Sequence, residues 1–110
     1  MFNKKVKSNN RGFRFYEFLD SYNTPCTIQK SSTAVPECLW LGLNQAEPRV
    51  LHGDAKKLGL ATVATYGWVD YPLPEEVHIP TRMHLTRDQA KQLANMLLHF
   101  ASSGDLPQTP

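Results

Sequence analysis

Arg82, His84 and Arg87, inside TRMHLTRDQAKQL at 81–93, come closest to a chemical site in this chain by residue type and spacing. Two guanidinium groups and an imidazole suit an anion or a phosphate, and a helix start beside them offers free N–H groups to negative charge. Arg82 and His84 alternate with Met83 and Leu85, which is the period of a strand over 81–85. Thr86 followed by Gln89 is a T-x-x-Q capping box, and Asp88 in the first turn suits the positive end of the helix dipole. Helix initiation therefore accounts for Thr86, Asp88 and Gln89. Arg82, His84 and Arg87 are left as a candidate anion- or ligand-binding group. No carboxylate or activated nucleophile joins them at a telling spacing, so the chain is read as no enzyme, with no cofactor.

The remaining chemistry-bearing residues are dispersed. Cys26 and Cys38 form no C-x-x-C pair, and His52, His78, His84 and His99 are scattered, so no metal site is expected. Both cysteines read as small core residues on neighbouring strands. Lys4, Lys5, Lys7 and Arg11, with Arg14, put five positive charges and no acid into residues 1–14, while the rest of the chain carries a net −3. Residues 1–11 thus form a basic arm, read first as a solvated tail and second as a nucleic-acid contact. GDAKKLG at 53–59 lacks the spacing of a phosphate loop. RGFRFYEF superficially matches an RNA-recognition strand, but only one convincing helix exists where that fold needs two. A helix-turn-helix fails because the segment before the helix is proline-rich.

The elements that must position these residues are mostly strands. FRFYEFL and PCTIQKS read as a hairpin, strands near 13–19 and 25–31, turning at Asp20-Ser21-Tyr22-Asn23 with Asn23 suited to positive φ. On the first strand Tyr16 and Phe18 share one face, and Phe15, Glu17 and Leu19 the other. ECLWLGLN reads as a central strand with Trp40 a core anchor, and Gly42 marks a bulge or a close backbone approach. PRVLH and LATVAT read as short strands around a loop or helical turn closed by Gly59. Pro72, Pro74 and Pro80 keep 67–80 extended, along a sheet edge or across a face. Ala90, Leu93, Ala94, Leu97, Phe100 and Ala101 form a helical stripe ended by Gly104, giving a helix of about 17 residues. The expected fold is α+β: a mainly antiparallel sheet of four to six strands, with one C-terminal helix across one face. A single domain is expected over 12–106, with a tail at 107–110.

RFYEFLDSYNTPCTIQKSS, LWLGLNQAEP, GWVDYPLPEEV and TRMHLTRDQAKQLANMLLHFASSGDL, in this order, resemble a family of small proteins encoded by bacteriophages and prophages. That family has Q-K-S-S, W-L-G and T-R-M-H-L-T-R segments, and its function is unassigned. The resemblance covers most of 12–106 and implies a small, phage-encoded accessory protein in the host cytoplasm. No apolar run approaches the ~20 residues of a membrane span, and no signal peptide is expected.

Three function classes follow. The first is a binding protein that inhibits a host defence system (an anti-CRISPR or other anti-defence protein), with Tyr22, Tyr66, Trp68 and Tyr71 as candidate partner contacts. The second is a sponge for a nucleotide signal, using Arg82, His84 and Arg87 with Trp40 or Trp68. The third is a single-stranded nucleic-acid binder using the basic arm. A homo-oligomer is compatible with all three.

Overall fold

A computed structural model describes residues 1–2, 7–8, 12–31 and 35–110. Its elements in chain order are β1 (Lys7–Ser8), β2 (Arg14–Leu19), β3 (Pro25–Lys30), β4 (Cys38–Leu43), β5 (Arg49–Leu51), α1 (His52–Ala55), β6 (Trp68–Asp70), β7 (Arg82–Thr86) and α2 (Arg87–Ser103). The protein is α+β and mainly β, as its patterning predicts. It divides into two compact units, one made of Met1–Asn44 with Thr81–Pro110 and the other of Gln45–Pro80.

The first unit holds an antiparallel five-stranded sheet in the order β1-β2-β3-β4-β7. The β2–β3 hairpin closes as its turn residues dictate. Asp20 Oδ1 accepts from the N–H groups of Tyr22 at 2.8 Å and Thr24 at 2.9 Å, and Asn23 takes φ 62°. Lys7, placed by its sequence in the basic arm, contributes backbone to β1 opposite Phe15. Lys4, Lys5 and Arg11 lie outside the described residues.

Strand register sorts the side chains onto two faces. One carries the row Phe15, Gln29, Trp40, His84 and the row Glu17, Thr27, Gly42, Arg82. The other is apolar, with rows Tyr16, Ile28, Leu41, Met83 and Phe18, Cys26, Leu43, besides Leu39 and Leu85. Phe2 meets this second face edge-on, 5.1 Å from the Phe18 ring and 6.2 Å from Tyr16. The cysteines do sit on neighbouring strands, but Cys26 is on the apolar face and Cys38 on the opposite one.

Gly42 governs how β7 joins the sheet. It has φ 155°, and a Cβ built there would fall on the Thr81 carbonyl oxygen and 2.8 Å from Arg82 Cα. Only glycine permits this approach, which the Thr81 hydroxyl reinforces by donating to the Leu43 carbonyl at 2.7 Å. The chain then passes directly from β7 into α2 through the anticipated capping box. Gln89 N–H donates to Thr86 Oγ1 at 3.2 Å, and Thr86 N–H donates to Gln89 Oε1 at 3.0 Å. Gly104, at φ 76°, ends the helix by donating to Phe100 O at 2.7 Å. The helix touches β4 and β7. Ala90, Leu93 and Met96 are half-buried, yet none of its residues is fully buried.

The second unit is a two-stranded antiparallel ribbon, β5 with β6, and the one-turn helix α1. Val50 and Val69 face each other across the ribbon and are half-buried, while Ala55 of α1 is completely buried. The strand expected at LATVAT does not form. Leu60 N–H donates to Ala55 O at 2.8 Å, closing the turn after α1 rather than starting a ladder, and β5 pairs with Trp68–Asp70 instead. Gly59 closes that turn at φ 75°, as expected.

Replacing Gly42 with Ala should cost about 1–3 kcal/mol in urea unfolding, because neither neighbouring atom is a flexible side-chain end. Gly53→Ala, with nothing within 4 Å of the added Cβ, should stay within about 0.5 kcal/mol of wild type. Equal effects from the two would refute the close approach as the reason for glycine.

Candidate functional site

The residues singled out by sequence separate into three groups. Arg82 and His84 come together with Trp40 on the polar face of the sheet. Trp40 lies opposite His84 across the β4–β7 pair, and the rings stack with centroids 4.9 Å apart and planes 4° from parallel. The Arg82 guanidinium carbon stands 5.9 Å from the centre of the Trp40 ring, within cation–π range. Its own cross-strand neighbour is Gly42, which contributes no side chain between guanidinium and indole. Trp40 is half-buried and His84 exposed, so the indole both anchors the sheet and supports the imidazole.

Arg87 is directed elsewhere. It pairs with Glu37 at 3.9 Å, and Glu37 also pairs with Lys30 at 3.5 Å. These groups are all about half exposed or more, so each contact is worth about 0–1 kcal/mol. Arg87 therefore extends a surface charge network at the helix start.

The aromatic candidates divide as well. Tyr22 sits at the tip of the β2–β3 turn and is 89% exposed. Tyr66 and Trp68 belong to the ribbon unit and are 82% and 65% exposed. Tyr71 is half-buried, its N–H donating to Pro48 O at 2.9 Å to prolong the β5–β6 ladder. Register adds a residue that sequence patterning does not single out. Leu51 pairs directly with Trp68, and both are exposed, Leu51 at 46%. Arg49 and Asp70 stand opposite each other in register on this same outward face, and the Arg49 guanidinium donates to Glu47 Oε2 at 3.1 Å. The ribbon thus presents an apolar pair beside a charged one, with Tyr66 two residues before Trp68. The signal for Leu51 would have been the pairing of PRVLH with GWVD rather than with LATVAT.

Among the described residues no group of three or more His, Cys, Asp or Glu is placed to hold a metal ion. Both cysteines are free. Burial pushes the Cys26 thiol up from its ordinary value, and the nearby Asp20 carboxylate adds to the shift. Its Sγ donates to Thr24 O at 3.4 Å. This is the environment of an unreactive structural cysteine. Among the described residues, no helix is long and apolar enough to cross a membrane. No family model matches the chain, and neither curated proteins nor solved structures give a match.

Two outcomes are expected here. A double-mutant cycle on Trp40→Ala and His84→Ala should return a coupling of about 0.5–1.5 kcal/mol, and a value near zero would mean that the stacked rings do not stabilise each other. Under native conditions iodoacetamide should label half-buried Cys38 before buried Cys26, whose labelling should require unfolding. Equal labelling rates would contradict the placement of Cys26.

Proposed function

We propose that this protein acts by binding rather than by catalysis, and that its target is another protein. The observation that carries this reading is the outward face of the β5–β6 ribbon. There Trp68 and Leu51 stand as an uncovered cross-strand pair beside Arg49, with Tyr66 close by in sequence. Trp, Tyr and Arg dominate binding hot spots, because a large ring or a guanidinium contributes much area and directional contact per immobilised side chain. A chain that has this surface, and a candidate site without nucleophile or paired carboxylates, is suited to occlusion of a partner. Joined to the phage-protein resemblance, the reading becomes a phage accessory protein that blocks a component of a host defence system, an anti-CRISPR or other anti-defence inhibitor working in the host cytoplasm. The arm residues Lys4, Lys5, Lys7 and Arg11 remain an alternative contact for single-stranded nucleic acid.

A second reading has its own observation. The Arg82–Trp40–His84 arrangement combines a cation with stacked rings, the elements a nucleotide sponge requires. Arg87 would have to leave its pair with Glu37 to join that ligand set.

Native mass spectrometry of the tagged chain recovered from host lysate separates the two. The protein-target reading expects a discrete added polypeptide, weakened at least about tenfold by Trp68→Ala and unaffected by Tyr22→Ala. Trp68→Ala should leave thermal stability unchanged, because the side chain is exposed. Retention of the same complex by Trp68→Ala would overturn the assignment of this surface. An added mass of a few hundred daltons, lost on Arg82→Ala, would replace it with the nucleotide reading.

A further inference from the structure

We infer that the outer edge of β7 pairs antiparallel with the same edge of a second copy of this chain, joining two sheets into one. The inference is independent of the ribbon surface. It starts from the direction in which the β7 backbone points. β7 ends the sheet, whose order is β1-β2-β3-β4-β7. Ser31 N–H donates to Cys38 O at 2.9 Å, and Asn44 N–H donates to Pro25 O at 3.0 Å. Hydrogen bonding alternates along an antiparallel strand, so Cys38, Trp40, Gly42 and Asn44 direct their backbone groups to β3. Leu39 and Leu41 then direct theirs to β7, where Leu85 and Met83 stand opposite. The N–H and C=O groups of Arg82 and His84 therefore point out of the sheet. Thr86 has the same phase, and its N–H is taken by Gln89 Oε1 at 3.0 Å.

Outward ladder groups are complementary to another strand, and a two-fold axis leaves few registers to consider. Centring the pair on His84 sets Arg82 against the partner's Thr86, whose N–H is already engaged. Centring it on Arg82 sets His84 against the partner's Pro80, which has no N–H. Centring it on Met83 sets Arg82 against the partner's His84, and His84 against the partner's Arg82. In that register every outward group of the two residues is satisfied in both protomers.

The side chains agree with this register. Met83, 51% exposed, meets the partner's Met83 at a position without ladder bonds, where side chains approach closest. On the opposite face the Trp40 and His84 rings are 4.9 Å apart, which is the spacing of neighbouring strands. The stack thus runs in the direction in which strands add. Its next place goes to the partner's Arg82, a planar group that stacks on aromatic rings. Edge strands that stay single are short, charged or interrupted by proline. β1, at the other edge, has two residues, one of them a lysine. β7 has five, no proline, and Met83 and Leu85 on its apolar face.

The test combines sedimentation velocity with single-residue amide hydrogen exchange on the full chain from about 1 to 100 µM, where a dimer of ordinary strength reveals mass action. The expected species has twice the 12.5 kDa chain mass. As it forms, exchange at Arg82 and His84 should slow at least about tenfold, while Met83 and Leu85, bonded to β4, stay protected throughout. Met83→Lys should sediment as a monomer with fast exchange at both outward amides and an unchanged far-ultraviolet circular dichroism spectrum. The wild-type exchange pattern decides the matter even if that variant fails to fold. A monomeric wild type overturns the inference, as does a dimer in which the Arg82 and His84 amides exchange freely. Protection of these amides that is independent of concentration also overturns it, because the edge would then be covered from within one chain. Trp68→Ala should change neither mass nor exchange, so failure of the ribbon reading and failure of this one are told apart.

Discussion

The joint between β4 and β7 is the constraint on which the first unit depends. β7 returns to the sheet only after the chain has built the whole of 45–80, and its register is then set by a single backbone approach, Thr81 and Arg82 against Gly42. That approach fixes three things together. It places His84 opposite Trp40, it gives Arg82 a neighbour without a side chain, and it delivers Thr86 beside Cys38 as the first residue of the helix cap. A slip of one residue would send Arg82 and His84 to the apolar face and bring Met83 and Leu85 out of it. The polar cluster and the orientation of α2 are thus two consequences of one glycine.

A second constraint is shortage of interior. Among the described residues only Cys26, Thr27, Ser31 and Ala55 are buried, and two of these are polar. Each unit encloses little. The ribbon unit of Gln45–Pro80 is below the size at which a hydrophobic core alone ordinarily sustains a fold, and its fully enclosed side chain is an alanine. In the larger unit several of the residues spaced to make a core stay exposed. Leu41 and Ile28 on the apolar face of the sheet are half-buried, while Met83 beside them and Leu98 and Phe100 on α2 are exposed. Stability therefore rests to an unusual degree on local devices: the Asp20 turn, the double-sided helix cap and the ladder hydrogen bonds.

Those local devices are the part that is legible in the sequence. The hairpin, its Asn23 turn, the alternation of Tyr16 and Phe18 against Phe15, the strand carrying Trp40, the Thr86–Gln89 box and the Gly104 stop all depend on residues within a few positions of one another. Gly42 is legible as a close approach because a glycine inside an apolar strand gives up packing area, and a neighbouring backbone is what can use the space. Non-local pairing is not legible. Nothing in LATVAT says that its backbone will find no partner, and nothing in GWVD says that it will pair with RVL across a helical turn. The α2 stripe is legible as apolar, but periodicity gives the direction of a face and not the identity of what meets it. For the same reason spacing alone groups Arg87 with Arg82 and His84. Adjacent in sequence, it begins a helix and turns to Glu37, while the other two belong to a strand.

The two tryptophans show how a physical difference separates anchors from contacts. Trp40 has one ring face occupied by His84, has Gln29 as its neighbour on the next strand, and is half-buried. A base or another planar ligand stacked on that face would have to displace the imidazole, so the gain from new stacking is offset by the stacking that His84 gives up. Trp68 is 65% exposed. Its cross-strand neighbour Leu51 is itself exposed, and both lie on the face of the ribbon opposite the half-buried valines. Covering that pair removes apolar surface from water, and β-ribbon geometry holds the two residues at fixed separation before any partner arrives. Preorganised, exposed and set beside Arg49 and Asp70, Trp68 meets the physical conditions for a recognition anchor that Trp40 does not.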